Sequence, residues 1–385
     1  MTRPLRGLIR GSSRRGTMLL GVGAVLVMVI GMAVLAVDVG RMYIVKSELQ
    51  TFTDAGALAA GLQLDGTAEG IARAQGAVQN LASGPNAMKW DLFQKPITTY
   101  TISYAKPYAN DATRADPATW TTNPADPKNY RFADVDARAG VPLNFSMAFL
   151  QYAPSVSPMK TASVGAMSMG GQQVVNNYPI GLLPFSPIAQ NLIAPTFGMV
   201  HGVQYTLRYP SQGGIKKENV CDGDVGKPYL NNIPSQDRGY WGSTSAAVLR
   251  GEIIHDEQLQ AIIIGEPVPM VGGNKNTEAS ALDERVREDS DATTATYDQY
   301  IAEGRGNGRR IVPVPINDGP THFIAVGIGA FFLQPTPNYQ SVTGNTPICA
   351  EYIGPYVQGS MYRGAATAAS TGDTGGYSVR LLKKD

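Results

Sequence analysis

TMLLGVGAVLVMVIGMAVLAV, Thr17–Val37, contains no charged residue. As an α-helix it is about 30 Å long, the thickness of a bilayer hydrocarbon core. A soluble core helix is seldom apolar on every face for this length, so the stretch reads as a transmembrane helix. Before it stand Arg3, Arg6, Arg10, Arg14 and Arg15, with no acid among them. After it, Asp38, Arg41 and Lys46 mix the two signs. A basic flank stays in the cytoplasm, which makes residues 1–16 a cytoplasmic tail and puts everything after Asp38 outside. A cleaved signal peptide also starts basic, but its apolar core is about 7–15 residues long. The small-x-small run Gly31-Met32-Ala33 lies inside the apolar stretch rather than closing it. A retained single-pass anchor is therefore the expectation.

Beyond Asp38 the helical period continues. Met42, Val45, Leu49, Phe52, Ala55 and Ala59 recur at spacings of three and four, which predicts one buried stripe. The chain then turns small, DAGALAAG at Asp54–Gly61, and Ala36 and Gly40 repeat the small-xxx-small spacing. Such residues let another backbone approach closely, whether from a partner or from the protein's own body. Asp54, Gly56 and Ala60 mark this face as a candidate interaction site. At the membrane junction Asp38 and Arg41 are one helical turn apart. An ion pair between them is expected; a contact from Asp38 to a partner's basic group is the alternative.

Three pieces occur in order: Arg14-Arg15-Gly16, then Val37-Asp38-Val39-Gly40-Arg41-Met42-Tyr43 closing the span, then Leu49-Gln50 followed by Asp54–Gly61. Together they resemble the N-terminal signature of TadE/TadG-like proteins of Flp-type (tight-adherence) pilus assembly. Gly56 and Gly61 stand where that signature usually has alanine. Residues 135–167 resemble, more loosely, the region that follows the anchor in the same proteins. The resemblance implies an inner-membrane protein with a periplasmic body that contacts other pilus assembly proteins. Type IV prepilins carry Glu at the fifth position after the cleaved Gly. Counted from Gly16 that position is Gly21, so prepilin-type cleavage is not expected.

The rest of the chain reads as α+β. A helix is expected over residues 71–81. Strands are expected at 97–105, 130–143 and 160–168, with a short apolar helix at 144–152. Ala133, Val135, Ala137, Ala139 and Val141 set a period of two. A helical stalk and α+β module over 38–169, a polar linker at 170–179 and a strand-rich domain over 180–385 follow. Within the last, helices are expected at 245–250, 257–264 and 277–288 with Thr277 as N-cap, and a further turn at 297–303. A hairpin is expected from 310–316 and 322–333, its first strand an edge because of Pro313 and Pro315. Strands are expected at 348–357 and 377–382. Cys221 and Cys349 form one disulfide in an oxidising compartment or remain two buried thiols.

A net charge of +1 leaves no basic face for nucleic acid. Chemistry is sparse. Ser157-Pro158-Met159-Lys160 matches S-x-x-K but lacks its partner boxes. His201, His255 and His322 fit no H-E-x-x-H spacing. Asp222-Gly223-Asp224 lacks the later acids of a calcium loop. GRGNGRR, Gly304–Arg310, reads as a turn before it reads as an anion cradle. Asp283, Glu284, Glu288 and Asp289 sit among arginines, where local pairing at four-residue spacing accounts for them. The expectation is a non-enzymatic assembly component, with no cofactor, metal or small-molecule substrate. A minor pilin-like subunit and a membrane-tethered periplasmic hydrolase are the alternatives.

Overall fold

The apolar period that runs through the span does not stop at its end. In the computed structural model one helix, α1, runs unbroken over Ser13–Gln63, about 75 Å at the usual rise. The structure describes residues 13–143, 145, 160–210, 219–234, 237–273, 277–362, 364 and 372–382. The helix expected at 144–152 and Ser157 of the S-x-x-K match lie outside these, apart from Phe145. The most apolar 18-residue window of α1 has 0% of its residues buried inside the protein.

After α1 come α2 (Ala68–Ser83), β1 (Lys89–Trp90), β2 (Lys95–Pro96), β3 (Tyr100–Ala105), β4 (Pro107–Tyr108) and β5 (Asp111–Ala115). Two long strands follow, β6 (Phe132–Pro142) and β7 (Thr161–Val174), then β8 (Asn177–Tyr178) and β9 (Gln204–Arg208). The remaining strands are β10 (Asp237–Trp241), β11 (Ile262–Ile263), β12 (Met270–Gly272), β13 (Ile311–Asn317), β14 (Ala325–Leu333), β15 (Ile348–Val357) and β16 (Gly376–Leu382). Further helices cover Ala246–His255, Glu278–Arg287 and Tyr297–Glu303. The class is α+β, as the alternation of periods implies.

The main sheet has eight strands in the order β13-β14-β15-β16-β7-β6-β3, with β9 also paired to β15. β13 is antiparallel to β14 and lies at the edge, where Pro313 and Pro315 cost no ladder bond on the open side. β15 and β16 are parallel; β16 and β7 are antiparallel. On β6 the period of two holds: Ala133, Val135, Ala137, Ala139 and Val141 are all buried.

The chain forms two compact units. One holds the described residues of 1–53, 80–101 and 136–167; the other holds 54–79, 102–135 and 168–385. The expected linker at 170–179 is not a linker. Residues 170–174 are the end of β7, paired with β16 from Val174↔Tyr377 to Gly170↔Leu381. Gly170 and Gly171 suggest a flexible connection in sequence. Their role is steric instead: a side chain on Gly171 would strike the Phe132 ring at 2.3 Å.

Residues 257–264 are likewise not helical. The Gln258 side chain bonds Leu182 N and Tyr178 O, and Ile262 and Ile263 pair with β8. Tertiary partners for an extended backbone outweigh the weak local helix preference. Thr277 precedes the helix at Glu278–Arg287 but makes no side-chain cap; its hydroxyl donates to Ala246 O. Much of the second unit's core lies where β9, β13, β14 and β15 meet the helices at 246–255 and 278–287, through Leu207, Leu249, Ile253, Leu282, Val314 and Phe331.

Candidate functional site at the membrane junction and the small-residue helix

In the first unit, α1 carries the junction residues out of the apolar stretch. Asp38 is buried, but the carboxylate hydrogen-bonded to Arg41 is Asp91. Arg41 Nε donates to Asp91 Oδ1 at 2.8 Å and Nη2 donates to Oδ2 at 2.6 Å. Arg41 Nη1 also donates to Pro142 O at 3.4 Å. This paired geometry, fork to carboxylate, is the strong form of the interaction. The expected Asp38–Arg41 pair is thus corrected. The guanidinium turns instead to Asp91, which the β1–β2 turn brings beside it. Asp38 still acts on Arg41 through its charge, a smaller influence than the Asp91 hydrogen bond. The Arg41 hydrogen bonds hold the Asp91 carboxyl down at about 2, against the opposing effect of burial and with help from Lys95. Lys95 Nζ stands 3.1 Å from Asp91 Oδ2. Sequence reading missed Asp91, because nothing local links positions fifty residues apart.

In the second unit the small-residue end of α1 packs on the protein's own sheet. Gly56, Ala57, Ala60 and Gly61 are buried, while Ala55 and Ala59 of the expected stripe lie at its half-buried margin. The inward face follows the glycines. A Cβ on Gly56 would meet Val135 and Val78 at 3.5 Å, an ordinary contact. A Cβ on Gly61 would meet Val379 Cγ1 at 2.8 Å. From the other side, a Cβ on Gly170 would lie 2.3 Å from Ala57 O. Strand β7 therefore touches the helix backbone to backbone, which only small residues on both sides permit.

Polar groups fix the same contact. Ser168 Oγ donates to Asp54 Oδ1 at 2.5 Å. Gln172 Nε2 donates to Gly61 O at 3.0 Å and Leu64 O at 2.6 Å, satisfying carbonyls that the end of a helix leaves open. Asp54, Gly56 and Ala60 thus have an intramolecular use.

Cys221 and Cys349 are bridged, with Cα atoms 5.8 Å apart and a sequence separation of 128. Cys349 lies on β15, where it pairs with Thr206 of β9. Cys221 N donates to the Thr206 hydroxyl at 3.0 Å, so the bridge fastens the segment after Cys221 to the sheet. The neighbouring Asp224 accepts from Thr206 N at 2.7 Å, Gln190 Nε2 at 3.0 Å and Tyr229 Oη at 2.5 Å. Burial pushes its carboxyl up, and these donors oppose the shift. The Asp-Gly-Asp run is a structural tie.

Several of the remaining sequence candidates are also engaged. Arg310 is fully buried and donates to the carbonyls of Leu333, Asp291 and Thr294. Arg309 binds Asp256 and Glu288 at 2.7 Å, and Arg305 binds Glu303. All three arginines of the Gly304–Arg310 loop are thus engaged within the protein. Among Asp283, Glu284, Glu288 and Asp289, Asp283 alone makes the local pair, with Arg287 at 2.7 Å. Glu284 reaches Arg250, Glu288 reaches Arg309, and Asp289 takes the Tyr300 hydroxyl. The last three join separate elements. His201 sits between Ile353 O and Asp298, at 3.0 Å from each. Among the described residues no three His, Cys, Asp or Glu side chains are placed to share a metal ion.

The features that stand out are the Arg41–Asp91 pair just past the apolar stretch and a helix packed closely on a sheet. No curated protein and no solved structure matches the chain. Residues 16–79, which contain the span, the Arg41 junction and the small-residue helix, match the Tad family, Flp pilus-assembly TadE/G-like.

Proposed function

We propose that the protein is a membrane-anchored, non-enzymatic structural component of Flp-type pilus assembly. Its N-terminus is cytoplasmic, its span lies in the inner membrane, and its body is periplasmic. The family match supports a part in Flp pilus assembly. The observation that carries the reading is the character of α1. One continuous helix has an 18-residue apolar window with no residue buried inside the protein, and its later part packs on the sheet at Gly56–Gly61. A structural part is supported by the engagement of candidate chemical residues within the fold, Arg309 and Arg310 on carbonyls and carboxylates and Asp224 on three donors.

The small-residue face is occupied inside the protein, so other pilus components meet a different surface. The exposed flank of α1 at Tyr43, Lys46, Ser47 and Thr51 is the surface we assign to them. Affinity-tagged full chain, extracted in mild detergent from a cell that makes Flp pili, is expected to bring other products of that system with it. Substitution of Lys46 and Thr51 by Asp is expected to reduce this recovery with the thermal stability unchanged. Recovery of the native chain alone would contradict the reading.

A further inference from the structure

We infer that the tip of the β1–β2 hairpin, Leu92 with Phe93 behind it, lies in the headgroup layer of the bilayer that α1 crosses. The inference rests on reading Thr17–Val37 as a membrane span. All the residues concerned belong to the first unit.

Depth is set by the Arg41–Asp91 pair. Arg41 is four residues past Val37 on an unbroken helix, about 6 Å of rise. Helical side chains lean toward the N-terminus, here toward the bilayer. The headgroup region adds about 5–8 Å on each side of the hydrocarbon core. Asp91, held by two hydrogen bonds to Arg41, is fixed at that level, and Leu92 follows it directly. Phe93 borders a groove with Ser47, Glu48 and Thr51, farther along α1, so it sits shallower than Leu92.

Leu92 is 59% exposed and Phe93 74% exposed. Asp91, Leu92 and Phe93 have φ of 58°, 58° and 61°, a left-handed run that non-glycine residues seldom make in succession. The protein thus adopts an unfavourable turn and leaves both large apolar side chains uncovered. An apolar-to-polar boundary supplies the missing cover. Exposure of apolar groups on α1 also continues past the span, at Val39, Tyr43 and Ile44. The hairpin itself carries Lys89, Trp90 and Lys95, the aromatic and basic residue types that favour a membrane interface with anionic headgroups. Trp90 is held by its Nε1 donating to Pro96 O at 3.0 Å, with Lys95 over its ring.

The test uses the full chain with Leu92→Cys, Phe93→Cys or Met28→Cys, the native cysteines remaining bridged. Each variant carries an environment-sensitive dye and is reconstituted in phosphatidylcholine–phosphatidylglycerol vesicles. Three quenchers are compared: a spin label at the headgroup, a spin label deep in the acyl chain, and iodide in the water. Met28 should respond to the chain label. Leu92 should respond to the headgroup label and lose iodide quenching several-fold relative to free dye. Phe93 should show the same pattern more weakly. Leu92 fully open to iodide, or shielded from all three quenchers by protein, with Met28 still quenched by the chain label, would overturn the inference and leave the span standing. Met28 untouched by either lipid label would overturn the span and this inference together.

Discussion

Replacing Gly170 by Ala tests the weld between α1 and β7 with a single methyl group. The new Cβ would stand 2.3 Å from Ala57 O and 2.6 Å from Ala57 C. Both are backbone atoms of a helix interior, so neither can rotate away. Helix and strand must part by about 1 Å to restore ordinary contact. Overpacking of this kind costs about 1–3 kcal/mol. For a unit of this size that lowers Tm by about 2–5 °C. Gly56→Ala is the matched control. Its Cβ would meet Val135 and Val78 at 3.5 Å, and the helix would gain up to about 1 kcal/mol from losing a glycine. The same chemical change should therefore destabilise at Gly170 and be neutral or stabilising at Gly56. Thermal unfolding of the detergent-solubilised full chain reads both. A Gly170→Ala protein as stable as the native chain, or equal losses at the two positions, would refute the close-approach argument.

Three further outcomes are expected. The Asp91 carboxyl is held at about 2 rather than at its ordinary 3.8, so its contribution is complete above the ordinary value and is lost as pH falls through about 2. With solvent screening it is worth about 1–2 kcal/mol, and Asp91→Asn should flatten the acid limb of a Tm-against-pH curve; an unchanged limb would remove the pair from the account. Reducing the Cys221–Cys349 bridge, or replacing both residues by Ser, should cost about 2–4 kcal/mol because it opens a long loop, measured by denaturant unfolding with and without reductant. A phosphatase fused after Asp385 should be active and a cytoplasm-restricted reporter there inactive; the reverse would place the body in the cytoplasm.

What the sequence made legible was periodic or local. The apolar stretch needs only its own composition to be read, and α1 is exposed there. The alternation on β6 and the Pro-marked edge strand β13 are equally local signals. The illegible parts are contacts between distant positions. Asp38 looked like the partner of Arg41 because helical spacing is visible in a sequence and the Asp91 turn is not. Gly170 and Gly171 looked like a linker because glycine marks both flexible chain and tight backbone approach. Only the Ala57 and Phe132 neighbours distinguish the two. Gly56 and Gly61 likewise seemed departures from an alanine run, whereas at Gly61 the missing methyl makes room for Val379. The acids after Asp283 paired across elements rather than along the helix, because Arg250 and Arg309 arrive from other parts of the chain.

The central claim is a structural part in building Flp-type fibres, and fibre counting on intact cells tests it most directly. A strain lacking this chain should carry few or no surface fibres by electron microscopy. The full chain should restore them, and a chain without Thr17–Val37 should not. Normal fibre numbers in the deletion strain would contradict the account.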